Sequence, residues 1–129
     1  MAMMAGALRG GPLPGLVVIA NENVREDHIT AAALKNVYTG RTNYWEGGQN
    51  VVIALLAGQM DGALDEVSGM DASQFRTFWQ RLVFSGRGQE PRSVSDAAAL
   101  VALVASTRGA IALAPAGVPL KGVKILEVQ

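Results

Sequence analysis

The sequence predicts an α/β fold, in which helices lie on the faces of one mostly parallel sheet with mixed pairing at an edge. Residues 16–20 (LVVIA) and 51–56 (VVIALL) are continuous aliphatic runs, typical of strands buried on both faces. Between such runs lie segments with helical spacing and helix-capping residues. Strands that alternate with helices favour parallel pairing, because each connection crosses over the sheet.

The elements follow one another in the order β, α, β, α, α, α, β, β. Thr30 is placed to cap a first helix over residues 31–38, and Gly40 is placed to end it. After the strand at residues 51–56, residues 59–67 are weakly helical. The connector before that strand contains Trp45, which we expect to cover the core.

The strongest helical pattern begins at Asp71, which forms a capping box with a residue three positions later. Its apolar stripe has spacings of three and four residues and consists of Phe75, Phe78, Trp79 and Leu82. Ser93 or Ser95 is expected to cap the next helix, residues 96–105, which is apolar around nearly its whole circumference. Strands over residues 110–114 and 123–128 complete the prediction.

Length and composition limit the organisation of the chain. Its 129 residues suit one core, so we expect a single domain over residues 15–129 after a flexible N-terminal segment, residues 1–14. That segment has no basic stretch ahead of its apolar part, unlike a signal peptide. The 17% of charged residues comprise eleven basic and eleven acidic side chains, as in a globular protein.

Several classes of function are disfavoured by the composition. No basic stripe with interleaved aromatic residues is present, so we expect no nucleic-acid partner. The absence of cysteine removes disulfides and thiolate chemistry. The longest apolar run, residues 97–105, is about half of what a membrane-spanning helix requires, and we expect the chain not to span a membrane.

The segment Ser85-Gly86-Arg87-Gly88 is the main candidate for ligand binding. It follows the strongest helix, its glycines permit close approach of the backbone, and the arginine is a bidentate donor to an oxyanion. The same residues also suit a turn that ends the helix and leaves the arginine in solvent. Both interpretations remain open from the sequence.

A second candidate lies after the first predicted strand, at Asn21, Glu22 and Asn23. Open α/β sheets bind ligands outside the carboxyl ends of their strands, which would make these side chains ligand-binding. The alternative is an ordinary polar loop that leads into the next helix.

Catalytic and metal sites find little support. His28 is the single histidine, and neither a nucleophile nor a metal-binding spacing accompanies it. Asp61, Asp65 and Glu66 lack the spacing of a calcium-binding loop and suit a solvated helix face. We therefore predict a protein without enzymatic activity, cofactor or metal.

Five segments in consistent order resemble the substrate-binding proteins of phosphate-type ABC transporters. They are LVVIANEN (16–23), ALKNVYTGRTNYWEGG (33–48), VVIAL (51–55), FRTFWQRLVFSGRG (75–88) and VALVASTRGAIALAPAG (101–117). The most specific parts are Tyr38-x-Gly40 followed by Trp45, and the run from Thr107 to Ile111. The resemblance implies a single lobe of a type II periplasmic-binding-protein-like fold, and an exported, periplasmic location.

The resemblance also implies where a ligand would bind in the family. There, a strand ends in an arginine, and a Gly-Ser-Gly-Thr-like turn then opens a helix whose N–H groups hold the oxyanion. The matching stretch here, residues 53–61, keeps Gly58 beside Gln59 but lacks the arginine and the hydroxyl groups, and it ends in Asp61. Gly58 and Gln59 are therefore candidates for a ligand site whose usual anion-binding residues are missing.

Two functional hypotheses follow. The first is a solute-binding-protein-like domain that binds phosphate or another small oxyanion. The second is a non-catalytic module that kept the lobe fold, lost the ligand pocket, and associates with itself or with a protein partner. The first predicts a measurable small ligand, and the second predicts a homo-oligomer or a captured protein.

Overall fold

The computed structural model describes residues 15–57 and 61–129, so the prediction for residues 1–14 falls outside the described residues. In chain order the elements are β1 (Leu16–Asn21), β2 (His28–Ile29), α1 (Ala31–Tyr38), β3 (Val52–Leu56), α2 (Asp61–Ser68), α3 (Ala72–Phe84), β4 (Arg92–Val94), α4 (Ala97–Ser106), β5 (Ala110–Pro115) and β6 (Val123–Val128). The eight predicted elements are all present. The strands β2 and β4 were not predicted, because two or three residues carry no periodic pattern.

The described strands form one six-stranded sheet in the order β2-β6-β1-β5-β3-β4. The pairings β2–β6, β3–β4 and β3–β5 are parallel, while β1 runs antiparallel to both of its neighbours, β5 and β6. The mostly parallel α/β fold is therefore confirmed. The mixed pairing, which the sequence analysis assigned to an edge, lies at β1 in the interior of the sheet.

Helices cover both faces of the central strands. In β5, all residues from Ala110 to Ala114 are buried, and successive side chains of a strand point to opposite faces. The helix α4 packs its buried residues Leu100, Val101 and Val104 toward the sheet. Its alanines at 98 and 102 are exposed, so burial covers one side of α4 rather than its whole circumference.

A small aromatic group joins α1 and α3, and α2 contacts both of these helices. The ring centroids of Tyr38 and Phe75 are 6.4 Å apart, and those of Phe75 and Trp79 are 6.2 Å apart. All three residues are buried. As predicted, Trp45 is also buried, and its indole Nε1 donates to the carbonyl of Gly109 at 2.8 Å, which holds the connector before β3 against the start of β5.

Capping residues explain where the helices begin. The hydroxyl of Thr30 accepts from the N–H of Ala33, and Asp71 forms the predicted capping box with Gln74. The prediction that Ser93 or Ser95 caps α4 is wrong. The cap is Asp96, whose carboxylate accepts from the N–H of Ala99 at 2.8 Å.

None of the helices within the described residues combines the length and the apolar character that crossing a membrane requires.

Candidate functional site: a cleft with two arginines

The predicted loop Ser85-Gly86-Arg87-Gly88 begins with a complete Schellman motif at the end of α3. The N–H of Gly86 donates to the carbonyl of Val83 at 3.0 Å, and the N–H of Arg87 donates to the carbonyl of Leu82 at 2.8 Å. Gly86 has a φ of +79°, as this motif requires. The N–H of Ser85 is also bonded within the helix, so these three N–H groups are not free to hold an anion.

The helix α1 ends in the same way, at Thr39-Gly40-Arg41. The N–H of Gly40 donates to the carbonyl of Val37 at 3.2 Å, and the N–H of Arg41 donates to the carbonyl of Asn36 at 2.8 Å. Gly40 has a φ of +76°. The two helices therefore end in matching turns, each with a hydroxyl residue, a glycine in the left-handed conformation and an arginine.

The two turns form walls of one cleft of about 830 Å³, which we call the two-arginine cleft. Its lining residues are Thr39, Gly40, Arg41, Asn43, Tyr44, Asn50, Val51, Phe78, Leu82, Gly86, Arg87, Gly88 and Gln89. The set includes two arginines, three side-chain amides and no carboxylate. Neither guanidinium forms a salt bridge within residues 15–57 and 61–129.

One side of this cleft was predicted from the sequence, and the other side was not. Ser85 to Gly88 were predicted as a group, and three of them line the cleft. Arg41, Asn43, Tyr44 and Asn50 were not predicted. The available signal was the repetition of the pattern aromatic, hydroxyl, glycine, arginine, which occurs as YTGR at residues 38–41 and as FSGR at residues 84–87.

The hydroxyl groups of the two turns donate to carbonyls of their own helices and not into the cleft. The Oγ1 of Thr39 donates to the carbonyl of Lys35 at 2.7 Å, and the Oγ of Ser85 donates to the carbonyl of Leu82 at 2.9 Å. With its proton engaged, a hydroxyl is left with acceptor capacity only. The side-chain donors that the cleft offers to a ligand are therefore the guanidinium groups, the side-chain amides and the phenol of Tyr44.

The charge balance of the cleft is positive. Each helix C-terminus contributes a partial charge of roughly −0.5, so the two helix ends together contribute about −1. The two guanidinium groups contribute +2, since arginine stays protonated at all accessible pH values. The arginines therefore outweigh the helix dipoles, and the cleft favours an anion.

Asn21 and Asn23 lie elsewhere, and their side chains bond to the protein itself. The Nδ2 of buried Asn21 donates to the carbonyls of Val104 at 2.9 Å and Ala105 at 3.1 Å, where α4 ends. The Oδ1 of Asn23 accepts from the N–H of Gly109 at 3.4 Å. Because β1 is antiparallel to β5, its carboxyl end lies at the amino end of β5, away from the carboxyl ends of the parallel strands.

Gly58 and Gln59 lie outside the described residues. They follow β3, whose carboxyl end is marked by the bond from the N–H of Ala57 to the carbonyl of Val94 at 2.9 Å. The two-arginine cleft adjoins Asn50 and Val51, before the amino end of β3. The cleft and the carboxyl end of β3 therefore lie at opposite ends of this strand, about 16 Å apart.

The fold is similar to that of several solved binding proteins. One is a protein from Clostridium perfringens described as a phosphate ABC transporter substrate-binding protein with bound phosphate, with a TM-score of 0.65, 20% identity, and coverage of 88% of this chain and 44% of the other. An ABC-type phosphate transport receptor from Vibrio cholerae gives a TM-score of 0.60, 17% identity, and coverage of 88% and 46%. PstS from Borrelia burgdorferi gives a TM-score of 0.63, 14% identity, and coverage of 89% of this chain and 47% of the other.

The chain thus spans less than half the length of these three proteins, at 44–47%. Comparison with protein-family models and with curated proteins gives no match. The similarity covers 88–89% of this chain. The chain has the fold of one lobe of a type II periplasmic binding protein, as in the substrate-binding proteins of phosphate ABC transporters.

Proposed function

We propose that this chain is a solute-binding-like domain that takes a small oxyanion, such as phosphate, in the two-arginine cleft. The observation that carries the proposal is that Arg41 and Arg87 lie on the walls of one cleft, whose lining contains no carboxylate among the described residues. Guanidinium groups present a fixed fork of donors that matches the oxygens of phosphate.

Two further observations support the same ligand class. The amides of Asn43, Asn50 and Gln89 add neutral donors to the lining. The protein from Clostridium perfringens that shares this fold has bound phosphate. The proposal includes an exported, periplasmic location and a role in binding rather than catalysis, in keeping with the transport receptors that share the fold.

The site that we propose differs in place from the one that the family resemblance implies. That site would follow β3 at its carboxyl end, where the sequence lacks an arginine and hydroxyl groups and carries Asp61. At the same end of the sheet, the first turn of α4 is occupied by the carboxylate of Asp96. The groove beside the carboxyl end of β3 contains Arg76, but Glu90 balances its charge, so the charges of the described residues favour the two-arginine cleft.

Isothermal titration of the chain with phosphate, in a buffer free of other oxyanions, tests the proposal. We expect saturable binding that weakens about tenfold or more in Arg41→Ala and in Arg87→Ala, since a hydrogen bond to a charged group contributes about 1.5–3 kcal/mol. Arg81→Ala is the matched control, because Arg81 is an exposed arginine of α3 outside the cleft lining.

Absence of heat from the wild-type chain would reject phosphate as the ligand. Equal affinities of the wild type, Arg41→Ala and Arg87→Ala would show that phosphate does not bind in the two-arginine cleft. The carboxyl end of β3 would then be the next site to test. Sulfate, titrated in parallel, separates recognition of phosphate from general attraction of oxyanions.

A further inference from the structure

A second, more apolar groove lies on the other side of α3. It has a volume of about 540 Å³, and it runs between α3 and the strands β3 and β4. Its apolar lining includes Leu55, Phe75, Trp79 and Val83. We call it the α3 groove. The α3 residues that line this groove are distinct from Phe78 and Leu82, which line the two-arginine cleft.

Phe84 stands beside this groove with its side chain in solvent. It is 96% exposed, the largest value among the large apolar residues that the structure describes. Aromatic side chains at the edge of an apolar groove often anchor protein–protein interfaces, where the partner protein buries them. A single exposed phenylalanine would be unremarkable by itself, so the choice of partner depends on the charges of the groove.

The α3 groove contains one exposed residue of each charge, Arg76 and Glu90. Neither forms a salt bridge within the described part of the chain, and so they do not neutralise each other. In a two-fold symmetric interface, a contact between residues i and j occurs twice, once in each direction. Two copies joined through this groove would pair Arg76 of each copy with Glu90 of the other.

We propose that the α3 groove is a self-association surface that binds a second copy of this chain. Phe84 of each copy enters the groove of the other, and the two reciprocal Arg76–Glu90 pairs set the orientation. The formal net charge of the chain is zero, so no overall repulsion opposes the approach of two copies. The inference does not require oxyanion binding, because the α3 groove and the two-arginine cleft share no lining residue.

Light scattering and sedimentation of the full chain, over a wide range of concentration, test the proposal. We expect the wild type to have the mass of a dimer. Phe84→Ser, Arg76→Glu and Glu90→Arg should each weaken dimerisation by roughly tenfold or more, because each change acts twice in a symmetric interface. Arg81→Glu, an exposed charge reversal on α3 outside the groove, is the matched control and should dimerise as the wild type does.

Mixing the two charge variants gives the sharpest result. In a heterodimer of Arg76→Glu with Glu90→Arg, one copy presents two acidic residues and the other presents two basic residues, so both pairs are attractive again. We expect the mixture to regain the dimer that each variant loses alone. Misfolding cannot produce this rescue, and circular dichroism of each variant confirms that it is folded.

A wild type that stays monomeric at all concentrations overturns the proposal. So does a dimer that survives Phe84→Ser and both charge reversals, since it would use another surface. Binding of an apolar dye by a monomeric wild type would instead assign the α3 groove to a small apolar ligand, which also overturns the proposal. Phosphate titration of Phe84→Ser distinguishes the two proposals, because its affinity for phosphate should equal that of the wild type.

Discussion

Trp79 and Tyr38 are joined by a buried hydrogen bond, in which the indole Nε1 of Trp79 donates to the backbone carbonyl of Tyr38 at 3.0 Å. Tyr38 is the last residue of α1, and Trp79 lies within α3, so this bond connects the two helices. The turns after these helices pack on the same indole. A methyl group at Gly40 would lie 3.4 Å from Cη2 of Trp79, and one at Gly88 would lie 2.9 Å from Cζ3.

We expect Trp79→Phe to destabilise the fold and to weaken oxyanion binding. The change leaves the carbonyl of Tyr38 without its buried donor, which costs about 1–3 kcal/mol. It also removes the outer ring of the indole, which lies beside Gly40 and Gly88 in the turns that carry Arg41 and Arg87. Urea unfolding measures the first effect, and phosphate titration of the folded variant measures the second.

Trp45→Phe is the matched control for this prediction. Trp45 is as buried as Trp79, at 5% exposure each, and its Nε1 also donates to a buried carbonyl, that of Gly109. We therefore expect a similar loss of stability from Trp45→Phe but a smaller loss of phosphate affinity, because Trp45 fixes the connector that carries Asn43 and Asn50 rather than the turn that carries Arg87. Equal weakening of phosphate binding by both variants would contradict a special role of Trp79 at the cleft.

The two matching glycines should differ in their tolerance of substitution. Gly40 and Gly86 have φ values of +76° and +79°, so alanine at either position costs about 1–2 kcal/mol of backbone strain. A methyl group at Gly86 would meet nothing within 4 Å, whereas one at Gly40 would lie 2.5 Å from Cδ1 of Leu82. We expect Gly40→Ala to be the more destabilising change, by about 1 kcal/mol.

Urea unfolding of the two alanine variants checks the order. Leu82 can move its terminal carbon, which keeps the difference modest, but Trp79 limits the space on the same side. A larger loss of stability in Gly86→Ala than in Gly40→Ala would contradict this prediction. It would mean that backbone strain at Gly86 costs more than strain and crowding together at Gly40.

Local patterns predicted much of the fold, because they act over a few residues. The aliphatic runs located β1 and β3, and the capping box at Asp71 located α3. The direction of β1 was not predictable in this way, since an aliphatic run indicates burial on both faces and carries no information on direction. That direction depends on pairing with β5, which lies about ninety residues later in the chain.

The candidate site was only half predicted for a similar reason. The turn at Arg87 stands out because it follows the strongest helix. The turn at Arg41 follows a short helix, and only the packing of α1 on α3 brings the two arginines to one cleft. The polar loop at Asn21 looked the same in sequence as a ligand-binding loop, and its bonds to the end of α4 became visible only in the fold.

Asn21→Ala should lower stability without altering oxyanion affinity. The Nδ2 of Asn21 satisfies two carbonyls at the end of α4, and its Oδ1 accepts from the N–H of Asn23 at 3.0 Å. Removal of this buried amide leaves the carbonyl of Ala105 and the N–H of Asn23 without this partner, so we expect a loss of about 2–3 kcal/mol by urea unfolding. A normal stability together with a lost phosphate affinity would instead identify Asn21 as a ligand-binding residue.

The ion pair between Asp27 and Lys124 gives a prediction for acid pH. The Nζ of Lys124 lies 2.7 Å from Oδ1 of Asp27 and donates to the carbonyl of Val24 at 2.9 Å. The hydrogen bond from Lys124, followed by its positive charge, holds the pKa of Asp27 below its ordinary value of 3.8. We expect Lys124→Met to raise this pKa toward the ordinary value, as measured by NMR titration of the carboxyl carbon.

The sign of the pH effect follows from this lowered pKa. An acid whose pKa is lower in the folded chain stabilises the fold above its unfolded pKa, and this stabilisation is lost as the pH falls through the folded pKa. The wild type should therefore lose the stabilisation from the Asp27–Lys124 pair below about pH 4. Lys124→Met should lack this stabilisation at every pH. Lys121→Met is the matched control, because Lys121 is exposed and forms no salt bridge in the described residues. Asp27 should titrate in this variant as it does in the wild type. An Asp27 that titrates identically in the wild type and in Lys124→Met would show that solvent screens the pair completely.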